Sequence, residues 1–127
     1  MKKILPFLII VAILVGLYFL TSKKPASVTT SVPNSDLVLF YGSTCPHCKN
    51  VEEFIAANQI DQKIKIDKLE VYENKSNAST FASMVKEICP DQLSSEGLPV
   101  PFLIDQKDKK CTIGDTPITD YLTEKTK

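Results

Sequence analysis

Residues 37–48 of this chain read Leu37-Val38-Leu39-Phe40-Tyr41-Gly42-Ser43-Thr44-Cys45-Pro46-His47-Cys48 and carry its clearest structural signal. The segment starts with an unbroken apolar run, which is typical of a central strand that is covered on both faces. Pro46 suits the first position of a helix, because the N–H that proline lacks would be unpaired there. The sequence therefore predicts a strand, a short loop, and two cysteines at the start of a helix.

The later elements follow from apolar periodicity and from residues that start or stop helices. Val51, Phe54 and Ile55 recur at helical spacing and extend the first helix from Pro46 to about Asn58. The sequence then predicts a strand over 64–71 with a bulge near Asp67-Lys68 and a helix from about Asn77 to Cys89, followed by a loop over 90–99. Strands at Phe102–Ile104 and Lys110–Ile113 and a last helix with Thr116 as its N-cap complete the prediction.

The order of these elements is βαβαββα. Alternation of strands and helices at the start implies a parallel unit, and the tight turn at residues 106–109 implies an antiparallel hairpin. We therefore expect an α/β domain in which a four-stranded mixed sheet has helices on both faces.

The first part of the chain predicts a membrane anchor. Residues 4–20 form an uninterrupted apolar run, preceded by Lys2 and Lys3. A membrane-spanning helix needs about 20 residues, with a range of about 17–25, and no good cleavage site follows the run. We expect residues 1–22 to be one uncleaved transmembrane helix, with a cleaved signal peptide as the alternative. In either case the rest of the chain is exported, and the positive-inside rule leaves Lys2 and Lys3 in the cytoplasm.

The remainder divides into a linker and one domain. Residues 23–35 are small, polar and contain two prolines, which is the composition of a flexible linker. Residues 36–127 leave room for a single core. The chain has 15 basic and 15 acidic residues, but four of its lysines lie in the first 24 residues, where there is no acid. The domain is therefore mildly acidic, which argues against binding to nucleic acid.

The combined pattern resembles the thioredoxin superfamily. A strand, a Cys-x-x-Cys motif, a helix and a later proline before a strand are typical of that family, and the likeness covers about residues 36–124. Pro46-His47 between the cysteines is similar to the dipeptide of bacterial extracytoplasmic disulfide oxidases, and the short list of elements is closer to glutaredoxin. Two positions depart from the family pattern: Thr44 replaces the usual Trp, and Leu39 replaces a buried acid.

The resemblance and the position of the two cysteines imply dithiol–disulfide exchange. Cys45 would lie at the amino end of a helix, where unpaired N–H groups and the helix dipole stabilise a thiolate. We expect Cys45 to be the nucleophile and Cys48 the resolving thiol, with Pro46 and His47 tuning the acidity of Cys45. The alternatives are a metal site or a static disulfide for the cysteines, and a solvated His47 without effect. The exchange itself needs no cofactor and no metal.

The resemblance also implies a cis-proline beside the cysteine pair. In that family the proline precedes the third strand, and the backbone of the residue before it pairs with the bound peptide. Val100-Pro101 is the first candidate, because a strand that begins with Pro101 loses no ladder bond to the missing N–H. Leu98-Pro99 is the second candidate, and an ordinary trans bond is the third.

Two further cysteines are expected to lie away from the first pair. The second strand runs parallel to the first, so the helix after it runs back and ends with Cys89 at the opposite pole. Cys111 follows the hairpin turn, which lies at that same pole. We predict a structural disulfide between Cys89 and Cys111, of the kind that persists in exported domains. Two buried free thiols, or a redox relay to Cys45, are the alternatives.

These patterns favour a membrane-anchored, extracytoplasmic thiol–disulfide oxidoreductase. The first expectation is an oxidase that acts on cysteine-containing exported proteins and exchanges electrons with a redox partner in the membrane. A reductase supplied by a membrane electron carrier is the second. A tethered module that binds copper or zinc through Cys45, Cys48 and His47 is the third.

Overall fold

The computed structural model describes residues 33–127. The predicted anchor over residues 1–22 lies outside the described residues, as does most of the predicted linker. Within 33–127 no helix is long and apolar enough to span a bilayer. The elements are β1 Leu37–Tyr41, α1 Pro46–Ala57, α2 Ile60–Lys63, β2 Ile66–Glu70, α3 Lys75–Ile88, a 3₁₀ turn Pro90–Gln92, β3 Phe102–Asp105, β4 Lys110–Ile113 and α4 Asp115–Lys125.

The four strands form one mixed sheet in the order β2-β1-β3-β4. β1 pairs with β2 in parallel and with β3 in antiparallel register, and β4 pairs antiparallel with β3. One face of the sheet is covered by α1 and α4, and the other by α3. The predicted α/β architecture with its four-stranded mixed sheet is confirmed, and this strand order with these directions is the thioredoxin-like arrangement. The short helix α2 between α1 and β2 is an addition to the predicted βαβαββα order.

Two apolar clusters cover the two faces of β1. Leu37 and Leu39 pack with α1 and α4, whereas Val38 and Phe40 pack with α3. Phe81 of α3 stacks on Phe40 with ring centroids 4.3 Å apart. Burial on both sides explains why β1 is apolar at every position, since a strand with one wet face would alternate.

The structure corrects the predicted bulge in the second strand. β2 pairs with β1 residue by residue from Leu37 opposite Ile66 to Tyr41 opposite Glu70, so no extra residue is inserted near Asp67. Ile66 packs against the α1 cluster and Leu69 against the α3 cluster. The change of phase in the sequence therefore reflects burial on both faces, and not a bulge.

The structure also moves the starts of two helices and adds a 3₁₀ turn. α3 begins at Lys75, because the Asn74 side chain accepts the N–H groups of Ser76 and Asn77, both at 3.1 Å. α4 begins at Asp115 rather than after Thr116, since Gly114 turns the chain directly after β4 with a φ of +91°. The predicted loop over 90–99 opens with the 3₁₀ turn.

The domain starts slightly before β1. The backbone N–H groups of Asn34 and Ser35 both donate to Oδ2 of Asp67 in β2, at 2.7 and 3.1 Å. The Gln106 side chain donates to the Ser35 carbonyl at 2.7 Å. Asn34 and Ser35, which the sequence assigned to the linker, are therefore attached to the sheet.

A disulfide joins Cys89, directly after α3, to Cys111 in β4. This is the pair that the sequence predicted. It lies on the face of the sheet that α3 covers, since Cys111 packs against the same cluster as Val85. It ties the end of α3 to the edge of the sheet, away from the helix that follows Cys45.

A buried carboxylate organises the pole opposite Cys45. Asp105, which is 0% exposed, accepts the Asp108 N–H at 2.8 Å, the Tyr121 hydroxyl at 2.8 Å and the Lys125 ammonium at 2.5 Å. Burial by itself raises the pKa of a carboxyl group, but these hydrogen bonds outweigh it and hold the pKa of Asp105 below its usual value. The ionised form is thus the one that the folded state stabilises.

We predict that Asp105→Asn lowers the free energy of unfolding of the full chain by about 2 kcal/mol at neutral pH, because a buried charged acceptor is lost. Since the folded pKa of Asp105 is depressed, its contribution is present above the unfolded value of about 3.9 and is lost as the pH falls below it. Urea titrations at neutral and acidic pH should therefore differ more for the wild type than for Asp105→Asn. The control Asp108→Asn, at a position that is 53% exposed, should cost under about 1 kcal/mol; equal losses would contradict the role of Asp105.

Candidate active site

Cys45 caps the amino end of α1 with its sulfur. After β1 the chain turns through Gly42, whose carbonyl accepts the Cys45 N–H at 3.1 Å. The Cys45 Sγ accepts the N–H of Cys48 at 3.2 Å, in the place that a side-chain oxygen usually takes at an N-cap. Pro46 occupies the first turn, as the sequence predicts. A negative charge on Sγ would be stabilised here by this N–H and by the helix dipole.

Cys48 lies one turn deeper and is only 1% exposed, against 6% for Cys45. Its Sγ accepts the Gly42 N–H at 3.5 Å. Burial, together with the hydrogen bond to Cys45, raises the pKa of Cys48 to about 12. Both cysteines are free thiols in this structure. The pair is therefore asymmetric: the outer sulfur accepts a backbone N–H at the start of α1, and the inner sulfur stays protonated at neutral pH.

The peptide bond between Val100 and Pro101 is cis, and it is the only cis bond within residues 33–127. Of the two proline candidates in the sequence, Pro101 is thus the one in cis, and Pro99 is not. The Cys45 thiol donates to the Val100 carbonyl at 3.7 Å. The Pro101 carbonyl accepts the Gly114 N–H at 3.0 Å. The loop before β3 therefore brings the Val100 backbone directly to the outer sulfur.

His47 is paired with a carboxylate from α4. Its Nδ1 lies 3.0 Å from Oδ2 of Asp115, and the Asn50 side-chain amide donates to the same oxygen at 2.8 Å. Hydrogen bonds from Asn50 and His47 lower the pKa of Asp115 to about 2. The hydrogen bond of the His47 ring thus goes to Asp115 and not to Cys45. Any effect of His47 on the Cys45 sulfur must act through charge.

Glu70, the last residue of β2, is a site residue that the sequence did not single out. Its carboxylate accepts four backbone N–H groups: Ser43 at 3.2 Å, Tyr72 at 2.7 Å, Glu73 at 3.0 Å and Asn74 at 3.1 Å. Desolvation opposes ionisation, but these donors hold the pKa of Glu70 below its usual value. One side chain thereby joins the loop before Cys45 to the loop before α3.

Tyr72 is the second residue that the sequence did not single out. Its ring lies against Gly42, where an added Cβ would collide with it, so the close approach requires glycine. The ring is nevertheless 56% exposed. Partial desolvation is the main cause that raises the pKa of Tyr72, and nearby negative charge at Cys45 and Glu70 adds to it. An available signal was its position just beyond a strand parallel to β1, at the pole of the cysteine pair.

Leu39, at the position where the related family has a buried acid, is 0% exposed and packs with Val51 and Ile55 of α1. It provides no proton acceptor for Cys48. Among residues 33–127, no group of three or more His, Cys, Asp or Glu side chains is arranged to hold a metal ion. The groups that this part of the structure offers for chemistry are therefore two thiols, backbone groups, and the side chains of His47 and Asp115.

Comparisons with known proteins give distant structural likenesses only. No family model matches the chain, and no curated protein sequence matches it. It is similar to a buckwheat glutaredoxin in a glutathione complex, with 14% identity over 72% of each chain and a TM-score of 0.46. Oxidised glutaredoxin 2 from Chlamydomonas reinhardtii shows 13% identity over 72% of this chain and 75% of its own, with a TM-score of 0.46. A glutaredoxin from Archaeoglobus fulgidus shows 19% identity over 68% and 85%, with a TM-score of 0.46. The fold is therefore assigned from this chain's own strand order and directions, and its chemistry from the dithiol geometry.

We predict that iodoacetamide at neutral pH modifies Cys45 of the reduced full chain well before Cys48. The thiolate is the reactive form, and Cys48, with a pKa of about 12 and 1% exposure, provides almost none. Mapping of the modified peptides against time measures the order. In the control Cys45→Ser, alkylation of Cys48 should remain slow. Equal rates at the two cysteines would contradict the asymmetry.

Proposed function

We propose that this chain is a thiol–disulfide oxidoreductase that works through Cys45 and Cys48. One observation carries the proposal: the Cys45 sulfur caps α1 by accepting the Cys48 N–H at 3.2 Å, while the Cys48 sulfur is buried behind it. This arrangement leaves the Cys45 sulfur nearer the surface, at 6% exposure against 1% for Cys48, and keeps the Cys48 sulfur within reach to displace a partner bound to Cys45.

The proposed exchange transfers two electrons from the substrate to the protein in two steps. In the oxidised protein a substrate thiolate attacks the Cys45 sulfur, the Cys45–Cys48 bond breaks, and Cys48 leaves with the electron pair and takes up a proton. A second substrate thiolate then attacks the substrate sulfur of the mixed disulfide and releases Cys45 as a thiolate. The substrate has lost two electrons, and the protein holds them as a dithiol. A disulfide in a redox partner must then accept them.

Val100 supports this chemistry through its backbone. Its carbonyl lies 3.7 Å from the Cys45 sulfur, beside the cis bond to Pro101. An extended substrate can form main-chain hydrogen bonds there, as peptides do when they add to an unpaired strand edge. Such pairing would place a substrate cysteine against Cys45, so we assign Val100 and Pro101 to substrate binding.

We propose that the protein acts mainly as a disulfide oxidase. A hydrogen bond and a helix dipole that stabilise the Cys45 thiolate also stabilise the reduced protein, and this makes the disulfide form a stronger oxidant. Leu39 leaves the Cys48 side of the site without the carboxylate of a thioredoxin-like reductase. Electron flow out of cysteine-containing substrates is the direction that these features favour.

We further propose that the domain works outside the cytoplasm, attached to the membrane by residues 4–20. The uninterrupted apolar run of that segment supports the anchor. The Cys89–Cys111 disulfide supports an oxidising compartment, since such bonds persist there. Exported proteins with cysteines are the proposed substrates, and a membrane protein is the proposed redox partner.

We predict that Cys45→Ser abolishes exchange and that Cys48→Ala accumulates mixed disulfides. In that variant a Cys45 thiolate can still attack a substrate disulfide, but no Cys48 thiol remains to displace the bound substrate from Cys45. Exchange is measured by oxidation of a reduced substrate protein, and trapping by non-reducing gels. The matched control is the double variant Cys89→Ala with Cys111→Ala, which should retain exchange. Activity that persists in Cys45→Ser would refute the mechanism.

The same Cys48→Ala variant, expressed as the full chain in cells, also tests the location. The adducts should be recovered from the membrane fraction after an alkaline wash and should contain exported proteins. Recovery of the variant outside the membrane fraction, or adducts with cytoplasmic proteins only, would contradict the proposed location while leaving the chemistry intact.

We predict that the reduction potential of the Cys45–Cys48 pair is well above about −270 mV, the value typical of thioredoxin. The reason is the stabilised Cys45 thiolate. Equilibration of the full chain with glutathione redox buffers measures the potential, and Cys45→Ser is the control for signal from other cysteines. A value at or below that of thioredoxin would instead favour a reductase.

A further inference from the structure

Tyr72 is an exposed aromatic residue at the dithiol that the exchange chemistry leaves unused. Among residues 33–127 only two large hydrophobic side chains are exposed, Tyr72 at 56% and Leu93 at 44%. Leu93 follows the 3₁₀ turn after α3, near the pole opposite Cys45. What distinguishes Tyr72 is its place: its ring lies on Gly42, whose N–H donates to the Cys48 sulfur.

The ring is held by contacts that also hold the cysteines. The Tyr72 N–H donates to Glu70 at 2.7 Å, and the same carboxylate oxygen accepts the Ser43 N–H at 3.2 Å. The ring itself lies on Gly42. Gly42 in turn donates to the Cys48 sulfur and accepts from the Cys45 N–H. Tyr72 is therefore fixed relative to both sulfurs by two independent sets of contacts.

The sheet order places Tyr72 and Val100 on opposite sides of Cys45. β1 lies between β2 and β3; Tyr72 follows β2, Val100 precedes β3, and the Cys45 loop follows β1. Adjacent strands are about 4.8 Å apart, so Tyr72 and Val100 are separated by about two strand spacings. About three residues of extended chain cover that distance. A polypeptide that pairs with Val100 can thus place a side chain on Tyr72, whereas a small thiol such as dithiothreitol has no apolar side chain to place there.

We propose that Tyr72 is a substrate-contact residue whose ring binds an apolar side chain next to the cysteine of an extended polypeptide substrate. The proposal rests on the proposed oxidoreductase function and adds a selectivity to it. Aromatic rings provide large contact areas at a small cost in side-chain entropy. The ring would select against small thiols and in favour of unfolded chains, in which apolar residues are still exposed.

The test compares two reductants of the oxidised full chain, purified in detergent. One is a peptide dithiol with Leu beside its first cysteine, and the other is dithiothreitol. We expect Tyr72→Ala to slow reduction by the peptide about three- to tenfold, the range for loss of one aromatic contact, and to leave reduction by dithiothreitol unchanged. Tyr72→Phe should react like the wild type, because the ring and not the hydroxyl makes the contact.

Two controls separate substrate contact from a structural role. Leu93→Ala, which removes the other exposed apolar side chain, should change neither rate. A peptide with Gly in place of Leu should react equally with wild type and Tyr72→Ala. Tyr72→Gln keeps a side chain longer than alanine but lacks the ring, and it should share the defect, so the test does not depend on one variant.

Three outcomes would overturn the proposal. An unchanged peptide rate in Tyr72→Ala would show that the ring makes no substrate contact. Equal slowing with both reductants, together with an altered reduction potential, would show that Tyr72 acts on the dithiol itself. A wild-type disulfide that reacts with neither reductant would refute the oxidoreductase function. That outcome is distinct from a Tyr72 variant whose rate of reduction by the peptide is unchanged, which would refute only the substrate contact.

Discussion

The carboxylate of Glu70 holds the site together. It accepts four backbone N–H groups, one from the loop before Cys45 and three from the loop before α3. These donors belong to two loops that follow neighbouring strands, and the carboxylate gives them one common acceptor. Charge-assisted hydrogen bonds are also stronger than neutral ones. The position of Cys45, of Tyr72 and of the first turn of α3 therefore depends on one side chain at the end of β2.

The cysteine pair shows how one short motif can provide two different thiols. Cys45 receives an N–H from within its own helix, and this favours the charged form. Cys48, one turn later, enters the apolar layer between α1 and the sheet, and this favours the neutral form. The difference arises from the direction of the helix. Its open amino end points at the solvent, and its second turn points into the core.

Regular periodicity explains which features could be predicted from the sequence. β1, α1, β3 and β4 were predicted within a residue, because their apolar residues follow the period of the element. The predictions of the β2 bulge and of the start of α4 were wrong. The first depends on burial of both faces of a strand, and the second depends on one backbone torsion angle. The Ile66–Leu69 phase change was interpreted as a bulge because burial on both sides of an edge strand leaves the same pattern. Thr116 was preferred as an N-cap because the left-handed φ of Gly114 has no unique sequence signature.

Three local properties were sufficient to place Cys45 and Cys48 after a strand. They are the cysteine spacing, the proline at the start of α1 and the apolar character of β1. The partners of that pair come from distant parts of the chain. Val100 is 55 residues from Cys45, Asp115 is 68 residues from His47, and Glu70 is 27 residues from Ser43. Hydrogen bonds over such separations depend on strand order and register, which have no local code. For this reason the chemistry could be inferred from the sequence, whereas the surroundings that would tune it and select its substrates appeared only in the folded chain.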